Sequence, residues 1–155
     1  MVRDKENTVK LLKHPDPILS QRAEEVDPHH PDLRVVVNNM MSIMRDNDGV
    51  GIAAPQVGKS WRVFIAMGEV WINPKITVLD GGYESRREGC LSIPNVSVMV
   101  RRAKRVKITG FNLERITKEI TSPEVARVLQ HENDHLDGVL INKTPKKRSF
   151  KKRRK

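Results

Sequence analysis

The stretch Gln130-His131-Glu132-Asn133-Asp134-His135 sets two imidazoles at positions i and i+4. A helix stacks such a pair on one face. Two neutral imidazoles there can bind one metal ion, and Glu132 beside them can act as a base on water. The same letters also fit a surface helix whose histidines point to solvent. The flanks weigh against that. Val125, Val128, Leu129 and Leu136 fall on the stripe that carries the histidines, which predicts a core-facing helix over Pro123–Asp137. Ser122 suits its N-cap, Pro123 its first position and Gly138 its stop. His14, His29 and His30 lack such a setting and are expected on the surface.

A catalytic metal site needs a third protein ligand and keeps a fourth position open. The single cysteine, Cys90, stands in Glu88-Gly89-Cys90-Leu91-Ser92. A lone cysteine is more often a small buried apolar residue than a ligand. Next to Gly89, and with two imidazoles elsewhere, it becomes a candidate thiolate ligand for a divalent transition metal of intermediate softness. A third segment, Gly49-Val50-Gly51-Ile52-Ala53-Ala54-Pro55-Gln56-Val57-Gly58, is built of small residues that let a backbone approach closely. It lacks the Gly-Lys-Ser/Thr ending of a phosphate loop. Gln56 on it is either an ordinary surface glutamine or a donor to a carbonyl oxygen that gains negative charge.

Further out, Leu33, Val36, Val37, Met40, Met41 and Met44 recur at helical spacing, which predicts a helix over Asp32–Asn47 with methionines as core filler. The middle is strand-rich. Segments Arg62–Ala66, Glu69–Asn73, Ile76–Asp80, Val96–Val100, Lys104–Phe111 and Arg115–Ile120 alternate or carry β-branched residues. Met67-Gly68 predicts a tight hairpin turn, and Pro74 a strand end or edge. Leu91–Pro94 resembles a strand end.

The 155 residues fit one domain, with 37% apolar and 31% charged residues. One cysteine forms no internal disulfide, which fits a reducing compartment. The polar N-terminus lacks the apolar stretch of a secretory signal. No apolar run reaches membrane-spanning length, so no membrane partner is expected. Nine of the 29 Lys and Arg residues lie between Lys143 and Lys155, leaving 20 against 19 acids in the body. The basicity therefore belongs to the tail, an arm for RNA, DNA or anionic lipid, or a solvated end that aids solubility.

The three segments resemble the three motifs of the peptide deformylase family. Gly49–Gln56 matches Gly-x-Gly-x-Ala-Ala-x-Gln, Glu88–Ser92 matches the second motif, and Gln130–His135 matches Gln-His-Glu-x-Asp-His, with Leu136 and Gly138 continuing it. Three motifs in order are far more specific than any one alone, and looser similarity runs from about Val9 to Leu140. The resemblance implies an α+β fold in which antiparallel sheets pack around a central metal-binding helix, with a second helix nearer the N-terminus. It implies a catalytic domain over 1–142 and a basic tail over 143–155. It also implies a hydrolase that removes the formyl group from N-terminal formyl-methionine of nascent polypeptides and releases formate.

By the matching positions, Cys90, His131 and His135 hold the metal. Glu132 is the general base and acid. Gln56 and the Leu91 backbone N–H hold the formyl oxygen. Gly51 pairs with substrate, and Val50 and Val128 line the methionine pocket. Iron(II) is the implied native ion, with zinc, nickel or cobalt able to substitute. A monomer in the cytoplasm, of a bacterium or of a phage-infected host, is the expected setting.

The chain departs from bacterial members after Leu140, where a basic tail replaces a long helix. Trimmed forms of this kind occur among phage-encoded members. Ribosomal RNA is the expected partner of that tail. Two other readings compete. A zinc endopeptidase also uses His-Glu-x-x-His, but takes its third ligand downstream, and no His, Cys, Asp or Glu follows Gly138. An RNA-binding module with a structural metal requires a fourth ligand that the motifs do not supply.

Overall fold

Alternation along Val63–Ala66 sends Val63 and Ile65 to one side and Phe64 and Ala66 to the other, and all four are buried. A strand apolar on both faces must be covered on both. The two helices supply that cover. The computed structural model describes residues 9–112 and 114–143. Its helices are α1 (Leu33–Asp46) and α2 (Pro123–Leu136). Its strands are β1 (Gly51–Ala53), β2 (Val63–Ala66), β3 (Glu69–Val78), β4 (Tyr83–Cys90), β5 (Ile93–Ala103), β6 (Val106–Asn112) and β7 (Glu114–Ile120). Val63 and Ile65 pack with Ile52 and with Met40 and Met44 of α1. Phe64 and Ala66 pack with Ala53, Trp71, Ile108 and with Ala126, Leu129 and Leu136 of α2.

Two antiparallel sheets result, one of five strands in the order β1-β2-β3-β6-β7 and one of two strands, β4-β5. The α+β class expected from the sequence is the one found. Strand β1 is an edge of the larger sheet, so one side of its backbone has no strand partner among the described residues. A third apolar cluster joins Leu19, Ile93, Val100, Leu140 and Ile141 beneath the hairpin, with Cys90 packed against it. Among the described residues no helix is long and apolar enough to cross a membrane.

Met67 and Gly68 form the tight β2–β3 turn with φ of 51° and 85°, the left-handed pair a two-residue hairpin requires. Helix α2 begins as its letters indicate: the Ser122 hydroxyl accepts from the Val125 N–H at 3.3 Å, with Pro123 next. It ends at Gly138, φ 74°, where a Cβ would stand 2.7 Å from the Ser20 backbone. Arg62, buried, donates to the carbonyls of Leu136 (2.8 Å) and Ala23 (3.3 Å) and to Asp137 (2.8 Å). It thereby ties the end of α2 to β2 and the N-terminal segment.

Three details differ from the sequence expectation. Pro74 does not end a strand. Strand β3 runs through it, with a register shift between Ile72 and Lys75 that accommodates the missing N–H. Asn73, φ 52°, stabilises this bulge by accepting from the Val26 N–H (3.0 Å) and donating to its carbonyl (2.8 Å). The small-residue segment contains the short strand β1 and then a 3₁₀ turn over Ala54–Val57, elements that its residues alone did not indicate. Strand β4 carries no apolar alternation, and its register with β5 runs from Tyr83↔Ala103 to Cys90↔Ile93. The tail beyond Lys143 lies outside the described residues.

Candidate active site

Helix α2 brings His131 and His135 to one face, with ring centroids 5.2 Å apart. The turn between β4 and β5 presents Cys90 to them, its Sγ 3.4 Å from His135 Nε2. One ligand atom from each of Cys90, His131 and His135 lies within 4.8 Å of the others. Thiolate and two imidazoles from a strand end and one helix face form an open three-ligand set, the arrangement of a catalytic metal centre.

Charges next to these side chains set their protonation. His131 Nδ1 lies 2.9 Å from Glu88 Oε1, so its N–H donates there and Nε2 faces the other two ligands. Glu88 in turn receives two bonds of 2.9 Å from the Arg102 guanidinium, which also donates to Asp134 at 2.6 Å. Burial alone would raise the Glu88 pKa, but the bonds from Arg102 and His131 outweigh it and hold it at about 2. On His131 burial opposes a charge, yet the bonds to Cys90 and Glu88 keep its pKa up at about 10. Ligation by this ring would require Nε2 to be free of its proton. His135 Nδ1 has no hydrogen-bond partner among the described residues. Burial drives its pKa well below 6.5, so it is neutral and ready to ligate.

Glu132 is 4% exposed, and its Oε1 has no hydrogen-bond partner among the described residues. Burial pushes its carboxyl up to about 7. The other oxygen faces Gly51, where a Cβ would stand 2.5 Å from Oε2. Gly51 is thus the residue that lets β1 pass over the carboxylate. The carboxylate oxygen of Glu132, buried and without a partner among the described residues, fits a site built around a cation.

Gln56 is not a surface residue: it is 2% exposed. Its Oε1 accepts from the Ala53 N–H (2.9 Å) and its Nε2 donates to Ser92 Oγ (3.0 Å). Ser92 Oγ passes a hydrogen to the Leu12 carbonyl at 2.7 Å, and Leu12 N–H donates back to the Gln56 carbonyl at 2.8 Å. This ring orients the amide and uses one of its two N–H groups, leaving the other for a ligand. Leu91 follows Cys90 in the same turn. A cleft of about 560 Å³ opens over these groups, lined also by Val50, Gly51 and Val128. All nine residues singled out in the sequence therefore border this cleft or the ligand set beneath it. His14 and His29 are exposed, and His30 packs on Trp61 at 4.8 Å.

A family model described as polypeptide deformylase matches residues 8–150. The peptide deformylase of Desulforudis audaxviator is 39% identical over 138 residues, 85% of this chain and 90% of that protein. The chain belongs to the polypeptide deformylase family. Among solved structures, peptide deformylase from Thermotoga maritima superposes with a TM-score of 0.81 at 40% identity, covering 87% of this chain and 95% of that one. A probable peptide deformylase from Synechococcus phage S-SSM7 gives a TM-score of 0.80 at 33% identity, covering 88% and 99%. Deformylases are metal-dependent, and the Cys90, His131 and His135 cluster is where this one can hold its ion.

Sequence reasoning missed two partners of that cluster, Arg102 and Asp134, and the task of Glu88. Glu88 and Asp134 lie inside the second and third motifs, which was the available signal. Arg102 is one cation among 29 and carried none.

Proposed function

We propose that Cys90, His131 and His135 hold one divalent ion and that Glu132, Gln56 and the Leu91 N–H act on a formyl group placed beside it. The family carries the activity itself: this is a metal-dependent hydrolase that removes the N-terminal formyl group from nascent polypeptides. The observation behind the residue roles is the convergence of three ligand atoms within 4.8 Å, next to a buried carboxylate oxygen that has no partner among the described residues.

The free edge of β1 at Gly51 receives the peptide as an added strand. The methionine side chain enters beside Val50 and Val128. Cys90, His131 and His135 would hold the ion, and its chemistry there would be Lewis acidity toward water and the formyl carbonyl. Glu132 takes a proton from the attacking water and delivers it to the departing amine. The spare N–H of Gln56 and the Leu91 N–H face the formyl oxygen as it gains charge. Water and formamide become formate and a free amino terminus, with every proton accounted for by Glu132 and solvent.

Iron(II) is the native ion in this reading, with zinc, nickel or cobalt able to replace it, and the thiolate ligand makes the site oxygen-sensitive. The protein acts as a monomer in the cytoplasm, of a bacterium or an infected host. The test is metal analysis with formate release from formyl-Met-Ala-Ser, on protein purified without oxygen. Stoichiometric metal and formate are expected, with an internal peptide left uncut. Cleavage of the internal peptide, or formate release without metal, would overturn this reading. The zinc endopeptidase alternative is disfavoured because Cys90 reaches the site from upstream.

The nine cations from Lys143 to Lys155 form the arm for ribosomal RNA in this proposal. Deleting residues 146–155 is expected to reduce co-sedimentation with ribosomes at low salt. Unchanged co-sedimentation would remove the tail from that role.

A further inference from the structure

The outer cleft holds two cations that the mechanism above does not use, Arg87 and Arg127. Arg127 sits on α2 one turn before His131, beside Val128, and lines the same cleft. Its guanidinium makes no hydrogen bond or ion pair among the described residues, and its Nε is buried without a partner. Glu124, one turn earlier on the helix, is exposed and is not paired with it. The buried Nε is closed to a visitor, whereas the two Nη groups are neither buried nor partnered among the described residues and are the donors a ligand in the cleft can reach.

The surrounding charges select what that group is. Arg87 also lines the cleft, and donates from Nη1 to the Ser97 hydroxyl at 3.2 Å. Asp48 is the exposed acid of the outer wall, and Glu88 deeper in is neutralised by Arg102. Two guanidinium groups against one exposed carboxylate favour an anionic visitor. The two Nη groups together form an edge that matches a carboxylate in two parallel bonds.

Strand geometry selects the position. In an extended peptide, side chains one and three share a face and stand about 7 Å apart. Arg127 is only about 1.5 Å along the axis from Val128, so it is its long side chain that can span this distance. Val128 and Arg127 belong to one wall, so a peptide with its first side chain at Val128 offers its third side chain to that wall. On the functional reading above, we infer that Arg127 is a specificity-determining residue that favours Asp or Glu as the third residue of the formylated peptide.

The test uses metal-loaded protein and C-terminally amidated formyl-Met-Ala-Glu, formyl-Met-Ala-Ser and formyl-Met-Ala-Lys. Amidation removes the terminal carboxylate, which would otherwise mimic the acid. Wild type is expected to favour Glu over Lys by about fivefold in kcat/KM at low salt, with the ratio shrinking as salt rises. Arg127→Gln should bring the ratio near one, and Arg127→Glu should invert it. A merely structural role would lower all three peptides together and leave the ratio intact, and that result overturns the inference. Discrimination appearing instead between formyl-Met-Glu-Ala and formyl-Met-Lys-Ala overturns the assigned position. If no peptide releases formate, it is the functional reading that fails. Equilibrium binding of the same peptides still reports the preference, so the two failures are separable.

Discussion

Glu132→Ala is expected to retain metal and to lower formate release by about 10²–10⁴-fold, the usual contribution of a positioned acid–base group. The metal should stay because its three ligands come from other side chains, each anchored independently of Glu132: Cys90 on a strand end, His131 through Glu88, and His135 by packing. The proton path should go because the unpartnered Oε1 is the free carboxylate oxygen beside the cluster. Unfolding offers no alternative explanation of such a loss. Burial raises the folded pKa of Glu132 to about 7 from an ordinary 4.5, so the folded state binds more protons than the unfolded one between those values. The group therefore costs metal-free protein increasing stability as pH rises from 4.5 to about 7. Removing it should leave the metal-free variant's Tm near or above that of wild type at neutral pH, less the cost of a small cavity. Metal content, Tm and formate release measured together separate these effects. Turnover like that of wild type would remove Glu132 from the mechanism.

Such a prediction needs features that the sequence exposes unevenly. Helix α2 was legible from Ser122 to Gly138 because cap, stop and apolar stripe agreed, and local agreement of that kind leaves few alternatives. The β2–β3 hairpin was legible for the same reason. Strand β4 was not. Tyr83-Glu84-Ser85-Arg86-Arg87-Glu88 offers no apolar alternation, because the inward position nearest the site is filled by a carboxylate. A buried charge looks like a surface charge until its partner is known, and Arg102 lies fourteen residues away across a hairpin. Pro74 misled in the opposite direction. Its missing N–H matters in a regular ladder, and the bulge at Asn73 removes the ladder there. The ligands were readable as chemistry. The groups that tune them were not, since buried ion pairs depend on tertiary register and leave no periodic trace.

Arg102→Met should therefore be the most damaging change outside the cleft, destabilising the protein by about 3–5 kcal/mol and weakening metal binding by about 10–100-fold. Arg102 and Glu88 are 6% and 3% exposed, so the variant leaves Glu88 as a buried charge without its main partner. Asp134 also loses its 2.6 Å bond, although that side chain is exposed enough for water to replace it. The pH dependence follows from Glu88. Its folded pKa of about 2 lies below an ordinary 4.5, so the stability it contributes is complete above pH 4.5 and is lost as pH falls toward 2. The Tm gap between wild type and Arg102→Met should be full at neutral pH and should narrow across that window. Adding Glu88→Leu to the variant gives the sharper result. Replacing a buried pair with apolar side chains commonly restores stability. Metal affinity, however, should stay low, because His131 Nδ1 would then have no acceptor to hold its ring and tautomer. Recovery of both together would mean that the pair serves only packing, whereas recovery of Tm alone assigns Glu88 and Arg102 to the orientation of His131.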